Sequence, residues 1–104
     1  MTAQISVLDD LRAWFVTHEA SLASDGYHVE FKESPLGRAK LSASVLLSSA
    51  ERIAQLVIWE TGEAELSMGD VSTGAVLEEH REITSEIGLR DSAETMLAWL
   101  REAG

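Results

Sequence analysis

Cysteine is absent from this chain, which removes disulfides, thiolate metal sites and cysteine nucleophiles at once. Cations are scarce: eight Lys/Arg stand against 18 Asp/Glu, for a formal net charge of −10. A nucleic-acid binder needs a basic stripe to neutralise phosphates, and an anionic membrane surface asks for the same, so the composition argues against both partners. The longest apolar run, around residues 56–59, falls far short of the roughly 20 residues that span a bilayer. The opening MTAQISVLDD has no basic region and no long apolar core, so no secretory signal is read there and a cytoplasmic location is expected.

Catalytic signatures are missing as well. There is no GxSxG, Walker loop, GxGxxG or HExxH, and none of His18, His28 and His80 stands four residues from another. The acid pair Glu78-Glu79 is no preformed dyad, because neighbours on a strand point to opposite faces. The expectation is a protein that is not an enzyme and carries no metal or cofactor.

What is present is enough for one folded unit. The 104 residues are 45% hydrophobic and 25% charged, as in ordinary globular domains, and no linker or repeat divides them. The charge is uneven. Residues 1–50 hold four Lys/Arg and six Asp/Glu (net −2), whereas residues 51–104 hold four Arg and twelve Asp/Glu (net −8). Such an excess keeps a protein soluble, and it also suits a face that meets a basic partner.

Periodicity divides the chain into elements. Val7, Leu8, Leu11, Trp14, Phe15, His18 and Leu22 recur at helical spacing, with Ser6 as the expected N-cap and Gly26 as the C′ residue. Tyr27, Val29 and Phe31 alternate with His28, Glu30 and Lys32, the pattern of a half-buried strand. Ser34-Pro35-Leu36-Gly37 suits a type I turn. A second strand follows over 39–47, with Leu41, Ala43, Val45 and Leu47 inward.

The stretch 53–70, IAQLVIWETGEAELSMGD, reads as a hairpin turning at Thr61-Gly62. Its first strand, over 52–60, is apolar on both faces, with Ile53, Val57 and Trp59 on one and Ala54, Leu56 and Ile58 on the other; such a strand is usually central. A two-residue loop would set Trp59 opposite Ala64 and Val57 opposite Leu66, with Leu66 and Met68 in the core. A fifth, heavily charged strand is expected over 76–83, and a last helix beginning at an Asp91 N-cap with Ala93, Met96, Leu97 and Leu100 as its stripe.

The order helix, strands, helix predicts an α+β fold: an antiparallel meander of four to five strands with the N-terminal and C-terminal helices packed on one face. The other face is then partly open, and Leu46, Leu56 and Ile58 are expected to form an apolar patch there. Trp14 and Trp99 belong to helical stripes and are read as core. Trp59, beside the acidic turn, fits either the core or an aromatic anchor at an interface.

The run SASVLLSSAERIAQLVIWETGEAELSMGDVSTG, continued by EEHREITS, resembles the TriTu-type immunity proteins of interbacterial toxin systems. The matching features are a small-residue strand, an apolar strand ending in Trp-x-x-Gly (Trp59, Gly62), an acidic return strand, and the later segment Glu79-His80-Arg81-Glu82. The resemblance implies an antitoxin of the cytosol that binds a cognate ADP-ribosyltransferase toxin and blocks its active site. A cleft built for NAD carries cationic groups for phosphate, so an acidic inhibitor complements it and is steered towards it. On this reading the partner-binding residues are Trp59, Glu60, Glu63, Glu65, Asp70, Glu78, Glu79 and Glu82. The alternative is a small acidic secretion chaperone or adaptor that binds an effector segment.

Overall fold

A computed structural model of the chain describes residues 7–34 and 41–102. The elements run α1 (Val7–Ser24), β1 (His28–Glu33), β2 (Ser42–Ser48), β3 (Arg52–Trp59), β4 (Glu63–Asp70), β5 (Val76–Glu82) and α2 (Glu86–Arg101). The strands form one antiparallel sheet in the order β1-β2-β3-β4-β5, so every strand pairs with its neighbour in sequence. This is the expected α+β meander. The expected Ser6 cap and the turn at 34–37 lie wholly or partly outside the described residues.

Alternation determines which residues are buried. Ala43, Val45 and Leu47 of β2, Ala54, Leu56 and Ile58 of β3, and Ala64, Leu66 and Met68 of β4 all point to one face. Against them pack Leu11, Phe15 and Leu22 of α1 and Leu89, Ala93, Met96 and Leu100 of α2. Helix α1 lies over β1 and β2, and α2 lies over β3 with a smaller contact to β4. Strand β5 projects past this helical layer: six of its seven residues are exposed, and Arg81 alone is half-buried.

Local signals explain the element ends. At the end of α1, Tyr27 N–H donates to the Leu22 carbonyl (3.1 Å) and Gly26 N–H to the Ala23 carbonyl (3.0 Å). That is a Schellman motif, and Gly26 takes the left-handed conformation it requires, φ +93°. Helix α2 starts earlier than its sequence pattern predicts. Ser85, not Asp91, is the N-cap, and its hydroxyl accepts from Gly88 N–H at 3.1 Å. Asp91 instead sits within the helix, exposed, at 3.2 Å from Arg81.

The β3–β4 register also differs from expectation. Ile58 pairs with Ala64, Val57 with Glu65 and Leu56 with Leu66. The loop is therefore Glu60-Thr61-Gly62, closed by Gly62 N–H donating to the Trp59 carbonyl at 2.8 Å, with Gly62 at φ +96°. A three-residue loop with glycine in the left-handed position shifts the pairing by one residue relative to a two-residue turn. Leu56 and Ile58 are accordingly fully buried beneath the helices, not part of an open patch. Ile53, Val57 and Trp59 occupy the open face in their place.

Candidate functional site

The uncovered face of the sheet can be read row by row from the strand registers. One row runs Lys32, Ser44, Val57, Glu65, His80. The next runs Glu30, Leu46, Gln55, Ser67, Glu78, and the one beyond it His28, Ser48, Ile53, Gly69, Val76. On the other side of the first row, Ser42 pairs with Trp59 and Glu63 with Glu82; one step past the Ile58–Ala64 pair, Trp59 stands beside Glu63.

This places five of the eight expected partner-binding residues on one surface. Trp59, Glu63, Glu65, Glu78 and Glu82 share the open face, and exposed Glu60 adjoins them in the turn. Trp59 is half-buried and lies opposite the helix-covered core, whereas Trp14 and Trp99 pack against that core as expected. Down the middle of the face, β3 contributes an apolar stripe of Ile53, Val57 and Trp59, flanked by Leu46.

The remaining two expected residues face the other way. Asp70 holds the β4–β5 turn: it accepts from Ser72 N–H (2.9 Å), Ser72 Oγ (2.6 Å) and Thr73 N–H (3.2 Å), and lies 3.6 Å from Arg52 Nε. The Ser72 hydroxyl, followed by the two backbone donors and Arg52, holds the Asp70 carboxyl below its ordinary pKa. Arg52 in turn lies over the Trp99 ring at 4.0 Å and donates to the Trp99 carbonyl at 2.9 Å, while the indole donates to the Gly69 carbonyl at 3.1 Å. Asp70 thus ties the sheet to the end of α2. Glu79 lies 3.1 Å from Arg81, whose guanidinium also reaches Asp91 and the buried Ser92 hydroxyl.

His80 sits among the acids of the open face. Its Nδ1 lies 3.0 Å from Glu65 Oε1. That hydrogen bond chiefly, with the charges of Glu65, Glu82 and Glu63, raises the imidazole above its ordinary pKa. The sequence singled out the glutamates and missed His80 as their companion; the signal was its period-two spacing from Glu78 and Glu82. Ile53 and Val76 were missed too. Ile53 leans over Gly69, where an added Cβ would come within 3.1 Å of its Cγ2, so the glycine gives β3's isoleucine room beside Val76.

Among the described residues no group of three or more His, Cys, Asp or Glu is arranged to hold a metal ion, and no helix is long and apolar enough to cross a membrane. A groove between α1 and α2, lined by Asp10, Trp14, His18, Glu86, Leu89 and Arg90, lies on the helical side, away from the acidic face.

The described residues form a small α+β domain whose sheet carries helices on one side of β1–β4 and presents acidic and aromatic side chains on the other. The sequence comparison makes the class specific. The chain belongs to the TriTu immunity protein family, whose model matches residues 9–99 and so covers most of its length. No curated protein sequence matches the chain.

Proposed function

We propose that this immunity protein neutralises an ADP-ribosyltransferase toxin by laying its open sheet face over the toxin's active-site cleft. One observation carries the reading: four glutamates and Trp59 project from one side of a sheet whose first four strands carry the helices on the opposite side. The acids complement a cleft that binds the phosphates of NAD, and they speed encounter more than they add affinity. Trp59, flanked by Val57 and Glu63, supplies the aromatic anchor. Inhibition of this kind needs occupancy and no chemistry from the inhibitor.

The test is a binding-kinetic comparison with the toxin domain. Replacing Glu63 and Glu65 together by lysine slows association and flattens its salt dependence while the melting temperature changes little. Trp59→Ala acts instead on dissociation, with a loss on the order of 2 kcal/mol for a central aromatic anchor. An unchanged association rate in the charge-reversed variant places the interface elsewhere. Undiminished toxicity in cells making a large excess of this chain overturns the reading. An obligate dimer that holds an unfolded effector segment favours the chaperone alternative.

A further inference from the structure

We infer that the free edge of β5 is itself a docking element, which receives an extended, cationic strand of the toxin and adds it to the sheet as a sixth strand. The inference rests on the toxin-binding reading above and says which part of the sheet makes main-chain contact.

The hydrogen-bond pattern of β5 identifies the donors and acceptors available. Asp70 N–H donates to the Ala75 carbonyl (2.9 Å) at one end of the β4–β5 ladder, and Ile83 N–H donates to the Gly62 carbonyl (2.7 Å) at the other. Bonded and non-bonded pairs alternate in an antiparallel ladder. Leu77, Glu79 and Arg81 therefore point their backbone groups at β4, while Val76, Glu78, His80 and Glu82 turn theirs outward. The residues with outward amides are also those whose side chains stand on the open face. A strand added here extends the acidic face without a break.

The two edges of the sheet differ in how they are guarded. Strand β1 alternates His28, Glu30 and Lys32 in sign, is packed on by α1 and is pinned by the bidentate Arg12–Glu33 pair at 2.7 and 2.9 Å. Strand β5 has no comparable cover: Val76 is 63% and Leu77 53% exposed, and the side chains of Glu78 and Glu82 make no hydrogen bond or salt bridge among the described residues. Charge on an edge strand repels casual pairing. The outward row of β5 carries Glu78 and Glu82 to either side of His80. A second copy of this chain paired antiparallel about His80 would set Glu78 against Glu82, which is unfavourable across a strand pair. A partner strand with lysine or arginine opposite Glu78 and Glu82, and an apolar residue opposite Val76, meets both requirements, main-chain bonds for affinity and alternate side chains for selectivity.

The experiment compares Glu78→Pro with Glu78→Ala in the full chain, both titrated against the toxin domain that the wild-type chain neutralises. Both lose the same charge, and only proline also removes an outward N–H, at a position that donates nothing to β4. Glu78→Pro is expected to bind at least about tenfold more weakly than Glu78→Ala. Amide hydrogen exchange on the wild-type chain gives a second readout that needs no variant. The amides of Val76, Glu78, His80 and Glu82 exchange quickly in the free protein and become protected in the complex. Equal affinity of the two variants, or outward amides that exchange in the complex as they do alone, overturns edge pairing while leaving toxin neutralisation intact. A wild-type chain that neutralises no toxin overturns both readings.

Discussion

On the helix side of the sheet, β3 presents Ala54, Leu56 and Ile58, all without solvent exposure; on the other side the same strand presents Ile53, Gln55, Val57 and Trp59, each half-buried or exposed. Both sets are largely apolar, so hydrophobicity alone does not distinguish them. What does is the company they keep. The covered set meets Leu89, Met96 and Leu100 of α2, and the open set stands among Glu30, Glu63, Glu65 and Glu78. An apolar stripe inside a rim of charge is the anatomy of a protein interface, where the fully buried centre loses its charges and the rim keeps them. The covered face specifies the fold, and under the proposed toxin neutralisation the open face meets the partner.

The sharpest way to break this comparison uses adjacent residues. Leu56→Ala removes a fully buried side chain and is expected to cost about 3 kcal/mol in denaturant unfolding. Val57→Ala, one residue along and on the open face, should cost about 1 kcal/mol or less. Equal losses would mean that the open face is structural after all. A smaller effect is expected at the corner that decides which residues face which way. Gly62→Ala forces a side chain into the left-handed region at φ +96° and brings a Cβ within 3.1 Å of the Ile83 carbonyl oxygen and Thr84 Cγ2. A cost of about 1–2 kcal/mol is expected from the backbone alone, read as a lowered midpoint at unchanged denaturant slope.

The smallest effect belongs to the open face itself. His80 is held protonated by Glu65 more strongly in the folded protein than in the unfolded chain. Its contribution to stability is therefore complete below the ordinary histidine pKa of 6.5 and disappears as the pH rises through the higher folded value. NMR titration should find His80 above 6.5 and Glu65→Gln should bring it down. A His80 that titrates identically in both proteins removes the pair from the account.

Much of this architecture can be read from residue order alone, and the exceptions have specific causes. Period-two alternation located β1, β2 and β4, an apolar run between turns located β3, a charged stretch after a turn located β5, and the 3.6 spacing located both helical stripes. The inward face of β3 was not legible, because a strand apolar on both sides carries no sign of which side is in. Turn length decides that, and Glu60-Thr61-Gly62 reads equally as a two-residue or a three-residue loop until the register is known. The start of α2 was obscured because Gly88 interrupts a helical pattern and because Asp91 followed by Glu94 imitates a capping box. At the candidate site, residue types marked the acids without marking their direction. Glu78 and Glu79 are indistinguishable as letters, yet one stands on the open face and the other pairs with Arg81 beside α2.

The meander order of the sheet also bears on how the chain acquires its structure. Each strand finds its partner a few residues away, so the entropic cost of closing loops is low and the sheet is expected to assemble quickly. Its cover does not keep pace. Helix α1 precedes the sheet, but α2, which hides Leu56 and its neighbours, follows the last strand. During synthesis there is accordingly an interval in which the core side of β3 waits for α2, and the arrival of Met96 and Leu100 is what closes it.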